Sequence, residues 1–229
     1  MTTTPATRDF DQGEISDETL YSILDIARFA PNGGNRQAWH VTVVRSAGRK
    51  ERLAELWELA QREDNAFYRA GLVPFVASEA YWRNPPGASS VQPVDLELAR
   101  RTPLDDPRGT SAASVHAAAV LLVVTVDLTR VTAMDSGLGR LSICGGGSVF
   151  PFAHNVLLAA REAGYGGVIT TVLARQEPAV KELLGIPADH VLACAIPLGR
   201  PKRRVTKLRR IPVEDFTTLE SFGGDPLSQ

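Results

Sequence analysis

The run AAVLLVVTV at residues 118–126 constrains the fold of this chain more than any other segment. It carries no charge and is rich in β-branched residues, a composition typical of a strand that is buried on both faces. A strand of this kind needs neighbouring strands beside it and packed layers above and below it. Three further segments have the residue pattern of strands: 39–45, 166–172 and 190–199.

Segments of helical length separate these strand candidates. The first begins at Ser16, a good N-cap, with Asp17 and Glu18 in its first turn, and ends before Pro31. Three others are 49–62, 178–185 and 148–164; the last is apolar nearly all round, as in helices buried in a core or a subunit interface. Strands and helices alternate, so two fold classes stay open, α+β and α/β, each with helices packed on a central sheet. No linker or repeat is evident, and we expect one domain spanning 1–229.

Charge and cysteine content argue against several classes of protein. The net charge is −1, which gives no electrostatic reason to expect a general nucleic-acid or membrane binder. Cys144 and Cys194 form no CxxC pair and the four histidines are scattered, so no metal site is predicted. The N-terminus lacks the pattern of a signal peptide, and the longest apolar run, 116–126, is too short to span a membrane. We therefore expect a cytoplasmic protein.

The segment RFAPNGGNRQAWH at residues 28–40 holds more turn-forming residues than a connecting turn needs. Gly33 and Gly34 allow the backbone to approach a flat ligand closely, because no Cβ intervenes. The amides of Asn32, Asn35 and Gln37 supply donors and acceptors that suit the pyrimidine edge of a flavin. The alternative interpretation is a helix end followed by an Asx-type turn into a strand, and the residues alone leave both open.

Basic residues near both ends of the chain could converge on a phosphate. Arg8 stands alone in the N-terminal stretch, and Lys207, Arg209 and Arg210 lie close to the C-terminus. Arginine offers a bidentate fork to phosphate oxygens. The alternative is a solvated basic tail. A third glycine-rich segment, 142–150, has neither the P-loop nor the GxGxxG spacing, so close helix packing is the favoured interpretation there.

Taken together, four segments resemble the nitroreductase family of flavin enzymes. ARFAPNGGNRQAWHVTVV (27–44) is similar to the family's helix ending in AP, followed by S-x-x-N-x-Q-P-W and a strand. HNVLLAAREAGYGGVITT (154–171) is similar to its long apolar helix, glycine-rich turn and strand. TRDFDQGEISDETLYSIL (7–24) and LRRIPVEDF (208–216) resemble its R-x-F entry and its closing basic segment. The segments follow the family's order and cover most of the chain outside 63–115.

The resemblance implies an α+β fold with a central mixed sheet flanked by helices, in an intertwined homodimer with two FMN sites between the subunits. It implies hydride transfer from NADH or NADPH through FMN to a small aromatic acceptor, nitroaromatic or quinone, by a ping-pong mechanism without a catalytic side chain. A specialised flavin enzyme with one dedicated substrate and a non-catalytic flavin-binding homologue are the alternatives. The residues expected to bind the cofactor are Arg8, Asn32, Gly33, Asn35, Arg36, Gln37, Thr170, Thr171, Arg209 and Arg210.

Within this resemblance, Arg8 with Arg209 or Arg210 would hold the phosphate. Asn32, Gly33 and Asn35, from the same or the partner subunit, would line the flavin, with Arg36 and Gln37 nearby. Thr170 and Thr171 fall where the family places backbone contacts near the reactive edge of the ring. Thr4 and Ala6 depart from the family, in which many members have a basic residue and a serine at these positions. The middle region, 63–115, would cover the site and select the acceptor. Its aromatic residues are candidates for the cover: Phe67, Tyr68, Phe75, Tyr81 and Trp82.

Overall fold

The computed structural model describes residues 2–70, 94–104, 112–138 and 142–228. Five strands form one sheet: β1 (Phe10–Asp11), β2 (Trp39–Val44), β3 (Val120–Asp127), β4 (Gly166–Gly167) and β5 (His190–Pro201). Six helices are described: α1 (Asp17–Ala27), α2 (Ala47–Arg69), α3 (Leu96–Arg101), α4 (Ala113–Ala117), α5 (Phe150–Glu162) and α6 (Glu177–Leu184). The segregation of helices onto an antiparallel sheet confirms the expected α+β class.

The sheet has the strand order β1-β5-β3-β2, with β4 paired to β5 beside β1. Strand β3 lies at its centre and pairs antiparallel with β2 and with β5. The four ladders that the described residues form are all antiparallel. The resemblance implied a sheet with both parallel and antiparallel pairing. Within the described residues the parallel pairing is limited to one bridge, between Ala6 and Gly167. The N-terminal segment pairs with β4 at that bridge alone among the described residues. Further along the segment, Phe10 pairs antiparallel with Pro201 of β5.

The central strand is buried on both faces, as its composition predicts. Val120, Leu122 and Val124 pack in one core cluster with residues of α1 and α5. Leu121 and Val123 point to the opposite face and pack in a second cluster with residues of α2 and α6. Successive side chains of a strand alternate between faces, so a strand between two helical layers must be apolar throughout.

Several predicted elements are confirmed, with two differences near the cavity described below. Helix α1 begins where expected, and the Ser16 hydroxyl accepts a hydrogen bond from the Thr19 N–H at 3.2 Å. Helix α2 runs seven residues beyond the predicted 62, to Arg69. The strand prediction for 166–172 was wrong in length. Only Gly166–Gly167 pair as a strand, and Val172–Gln176 form a 3-10 turn. No helix of the described part of the chain is both long and apolar enough to cross a membrane.

Candidate functional site

A cavity of about 540 Å³ opens between α2, the N-terminal segment and the chain after β4. Polar side chains from all three elements face it, together with a few apolar ones. It is lined by Arg8, Trp57, Gln61, Asp64, Asn65, Tyr68, Ser114, Val168, Ile169, Thr170, Thr171, Val172 and Arg175. Three of the residues predicted to bind a cofactor, Arg8, Thr170 and Thr171, therefore lie together in one cavity.

Close packing at two glycines carries Arg8 to this cavity. The Thr7 N–H donates to the Gly167 carbonyl at 2.8 Å, and a Cβ at Gly166 would lie 2.6 Å from the Thr7 hydroxyl oxygen. The N-terminal segment can approach β4 this closely because Gly166 carries no side chain. Arg8 itself is exposed and forms no hydrogen bond or ion pair with any described residue. Its guanidinium is thus available to a ligand.

Thr170 and Thr171 differ in what they can offer to a ligand. The backbone N–H and C=O of Thr170 both bond to Ala195, at 3.0 and 2.8 Å, and its hydroxyl oxygen lies 3.4 Å from the Val172 N–H. The Thr171 carbonyl accepts from the Ala174 N–H at 2.9 Å, which closes the 3-10 turn. The Thr171 N–H donates to no acceptor among the described residues. Of the two threonines, Thr171 is therefore the one whose backbone N–H can donate to a ligand.

Helix α2 supplies one wall of the cavity, mostly through residues that the sequence interpretation did not select. Trp57, Gln61, Asp64 and Tyr68 lie on one face of the helix, at intervals of three and four residues. Their spacing was readable from the sequence, but the helix was expected to end at residue 62. Tyr68, one of the candidate cover residues, lines this wall, whereas Phe67 lies beside the guanidinium of Arg175. Phe75, Tyr81 and Trp82 lie outside the described residues.

A group of four charged side chains connects this wall to α3 and to the 3-10 turn. The Glu63 carboxylate is buried, and it accepts a hydrogen bond from Arg100 Nε at 2.9 Å. That interaction holds the pKa of Arg100 above its ordinary value. Arg175 Nε lies 3.5 Å from Glu63 Oε2 and 3.1 Å from Asp64 Oδ1. The buried carboxylate thus lies between two guanidinium groups, as a buried charge requires.

The predicted flavin loop, residues 32–37, lies away from this cavity and is shaped by its own amides. The Asn32 side chain donates to the Ala30 carbonyl at 3.1 Å and accepts from the Gln37 N–H at 2.8 Å. Three residues of the loop have left-handed backbone angles: Gly34, Asn35 and Gln37. The Arg36 carbonyl accepts a hydrogen bond from the Arg130 guanidinium. The Asn32 side chain therefore joins the two ends of the loop, from Ala30 to Gln37, over a longer span than the Asx-type turn that the sequence left open.

Gly33 joins this loop to the glycine-rich segment that precedes α5. Its N–H donates to the Ser148 hydroxyl at 3.1 Å. The backbone N–H groups of Ile143 and Cys144 in turn donate to the buried Asp135 carboxylate. The predicted packing role of segment 142–150 agrees with these contacts. Asn35, Arg36 and Gln37 remain exposed at the surface of the single chain.

Arg209 and Arg210 lie on an exposed C-terminal segment and do not line the cavity. Arg210 Nη1 donates to the Arg209 carbonyl at 2.8 Å. The same segment exposes several large apolar side chains, namely Ile211, Val213, Phe216, Leu219, Phe222 and Leu227. Within one chain, then, the structure groups Arg8 with Thr170 and Thr171, and places the other predicted site residues elsewhere.

Comparison with known proteins identifies the family of the chain. The model of the nitroreductase family matches residues 3–200. A protein of Archaeoglobus fulgidus, named for NADH dehydrogenase or NAD(P)H nitroreductase activity, is 27% identical over 197 residues, covering 85% of this chain and 79% of the relative.

Solved structures with the same fold include a BluB-like flavoprotein of Clostridium difficile, 19% identical with a TM-score of 0.65, with 95% of each chain covered. They also include the NADPH:FMN oxidoreductase of Vibrio harveyi, 20% identical with a TM-score of 0.62, with 96% of this chain and 75% of that one covered. The fold expected from the sequence is confirmed by both. Because the family match spans nearly the whole sheet and both helical layers, the chain belongs to the nitroreductase family.

Proposed function

We propose that this chain is an FMN-dependent oxidoreductase that passes hydride from NADH or NADPH to a small aromatic acceptor, nitroaromatic or quinone. The observation that carries the proposal is the cavity in which Arg8 meets Thr170 and Thr171, in a chain of the nitroreductase family. The Vibrio harveyi protein, which has the same fold, is named for FMN and NADPH. Its cofactor and electron donor support the same assignment here.

Open hydrogen-bonding groups of the cavity and of the N-terminal segment fit a flavin that carries a phosphate. Arg8 presents a guanidinium without an internal partner among the described residues. The Thr4 hydroxyl oxygen is buried and also lacks a hydrogen-bond partner in the described part of the chain. Arginine and hydroxyl donors are common ligands of phosphate oxygens. Thr4 thus offers a neutral donor where many family members have a basic residue, and the Thr171 N–H would contact the ring.

Bound FMN would accept the hydride and pass it on, so no side chain has to act as a general acid or base. The protein would bind the cofactor, admit donor and acceptor in turn to one cavity, and exclude water while they are bound. This alternation is the ping-pong mechanism. Asp64, Asn65 and Tyr68, from the start of region 63–115, lie in the cavity wall, which supports a role of that region in acceptor selection.

We further propose that the working form is a homodimer with its flavin sites between the subunits. Asn32, Gly33, Asn35, Arg36 and Gln37 lie away from the cavity of their own chain, and a second copy would bring this loop to it. The exposed apolar side chains of the C-terminal segment support the same arrangement, because exposed apolar patches of this kind mark interaction surfaces. That segment also carries Arg209 and Arg210.

Two separate half-reactions test the proposed function. The purified protein, incubated with FMN and freed of excess cofactor, is mixed with NADPH or NADH under nitrogen while its flavin absorbance is followed. We expect the flavin bands to bleach and then to return when nitrobenzene or a quinone is added. A protein that stays colourless after incubation with FMN would support the non-catalytic alternative. A flavin that NAD(P)H does not reduce would contradict the proposed donor.

A further inference from the structure

We propose that Arg175 recognises the oxygen atoms of the electron acceptor, and that Glu63 is a positioning residue that holds Arg175 in place. This inference rests on the proposed function, because it concerns the acceptor that the cavity admits. It differs from the cofactor assignment in naming residues outside the predicted phosphate and flavin contacts.

The environment of Arg175 fixes one side of its guanidinium and leaves the other side open. Its Nε is buried and lies at ion-pair distance from Asp64 and Glu63, although its geometry to the described residues makes no hydrogen bond. Its guanidinium carbon lies 4.9 Å from the centre of the Phe67 ring. Arg175 nevertheless lines the cavity, and 24% of its side chain is exposed. The exposed part therefore includes groups beyond Nε.

The terminal Nη groups of Arg175 donate to no acceptor within the described residues. A guanidinium that is held by ion pairs on its Nε side and by an aromatic ring, and is open at its terminal nitrogens, offers a preorganised planar pair of donors. Such a fork fits a carbonyl oxygen or a planar group with two oxygens. The two neighbouring carboxylates offset its positive charge, so we expect it to favour a neutral oxygen group over a carboxylate.

The position of Arg175 along the chain brings it near the predicted ring contact. The 3-10 turn that holds Arg175 follows directly after Thr171, whose carbonyl closes the turn. A quinone that receives a hydride becomes a hydroquinone anion, which takes its proton from water. Negative charge develops on the acceptor oxygen during this step, and preorganised donors that face developing charge lower the barrier.

Glu63 acts from behind this wall, because it is not among the residues that line the cavity. Its carboxylate joins Arg175 to Arg100 of α3, and only 6% of its side chain is exposed. A neutral glutamine at this position keeps the size of the side chain and removes the charge that attracts both arginines. We therefore expect Glu63→Gln to slow reoxidation by the quinone, as Arg175→Gln does, but by a smaller factor.

The test compares wild type, Arg175→Gln, Glu63→Gln and a control, Arg52→Gln, which removes an exposed arginine paired with Glu55 in α2. Each protein is loaded with FMN and reduced by NADPH under nitrogen. Stopped-flow absorbance then follows reoxidation by p-benzoquinone and by ferrocenium, an acceptor without oxygen. Binding of nitrobenzene and of toluene to the oxidised proteins is measured by calorimetry, as a readout that does not depend on turnover.

We expect Arg175→Gln to slow the quinone step about tenfold or more, the usual effect of losing a charge-assisted hydrogen bond. The ferrocenium rate and the Arg52→Gln control should remain unchanged, and the preference for nitrobenzene over toluene should fall. If both acceptors slow equally, or neither does, the inference is overturned while the proposed function stands.

If wild type is not reduced by NADPH or NADH, the proposed function fails and this inference fails with it. Should Arg175→Gln not fold, Arg175→Lys keeps a positive charge beside Asp64 and Glu63 but lacks the planar fork. The quinone rate should then fall relative to the ferrocenium rate in the lysine variant as well. A lysine variant with the wild-type ratio of the two rates would overturn the proposal.

Discussion

Replacing Gly33 with alanine tests whether the loop at 32–37 depends on close packing. A Cβ at this position would lie 2.0 Å from the Thr132 hydroxyl oxygen and 3.0 Å from the Thr132 Cβ. Threonine is short and branched, so it has no flexible end that could move aside. Overpacking of this kind costs about 1–3 kcal/mol. For a chain of this size each kcal/mol lowers the melting temperature by about 2–4 °C.

The assay is urea unfolding followed by circular dichroism, arranged as a double-mutant cycle. Gly33→Ala should lower the free energy of unfolding, and Thr132→Ala in the same chain should restore most of the loss, because it removes the hydroxyl and the methyl group. Gly48→Ala is the matched control, since nothing lies within 4 Å of its Cβ and it is part of α2. Equal stability of wild type and Gly33→Ala, or no recovery in the double variant, would refute the reasoning.

Three further predictions concern the sheet, the thiols and the C-terminal segment. Gly167→Ala should prevent or strongly weaken folding, because its Cβ would lie 2.6 Å from the Pro197 carbonyl oxygen, a backbone atom of the paired strand β5, and 2.5 Å from Leu198 Cδ2; a melting temperature equal to that of wild type would contradict this. Burial raises the pKa of Cys194 to about 12, whereas Cys144 is exposed. A thiol reagent at pH 8 should therefore titrate one thiol in the native protein and two in denaturant. Two reactive thiols in the native state would be inconsistent with this. Light scattering should find a dimer for the whole chain and a monomer after removal of 203–229; a wild-type monomer would exclude the proposed dimer.

Much of the fold could be predicted because local patterns and tertiary contacts agree. Ser16 caps α1 as its sequence indicates, and the uncharged run at 118–126 becomes the central strand because helices cover both faces. The extension of α2 to Arg69 was not predicted, because residues 63–69 are mainly charged or polar around Ala66 and Phe67 and lack an apolar stripe. Their helix is held by tertiary ion pairs to Arg100 and Arg175, which sequence periodicity does not report.

The candidate site was predicted in part, for similar reasons. Arg8, Thr170 and Thr171 belong to segments that resemble the family, and the structure places them in one cavity. Arg175 and, apart from Tyr68, the cavity face of α2 were missed, since their chemistry depends on side chains that meet only in the folded chain. The loop at 32–37 combines turn-forming amides with exposed residues, and a single chain does not bring it to the cavity. Its predicted contact with flavin depends on a second copy.

The measurement that tests the central claim most directly is the FMN affinity of Arg8→Gln relative to wild type, followed by quenching of flavin fluorescence. Arg8 forms no hydrogen bond or ion pair with the described residues, so the melting temperature of the free protein should not change. A lost charge-assisted hydrogen bond to phosphate is worth about 1.5–3 kcal/mol, which corresponds to a dissociation constant raised about tenfold to 100-fold. Arg52→Gln should bind FMN as wild type does. Equal FMN affinity of wild type and Arg8→Gln would contradict the assignment of this cavity as the flavin site.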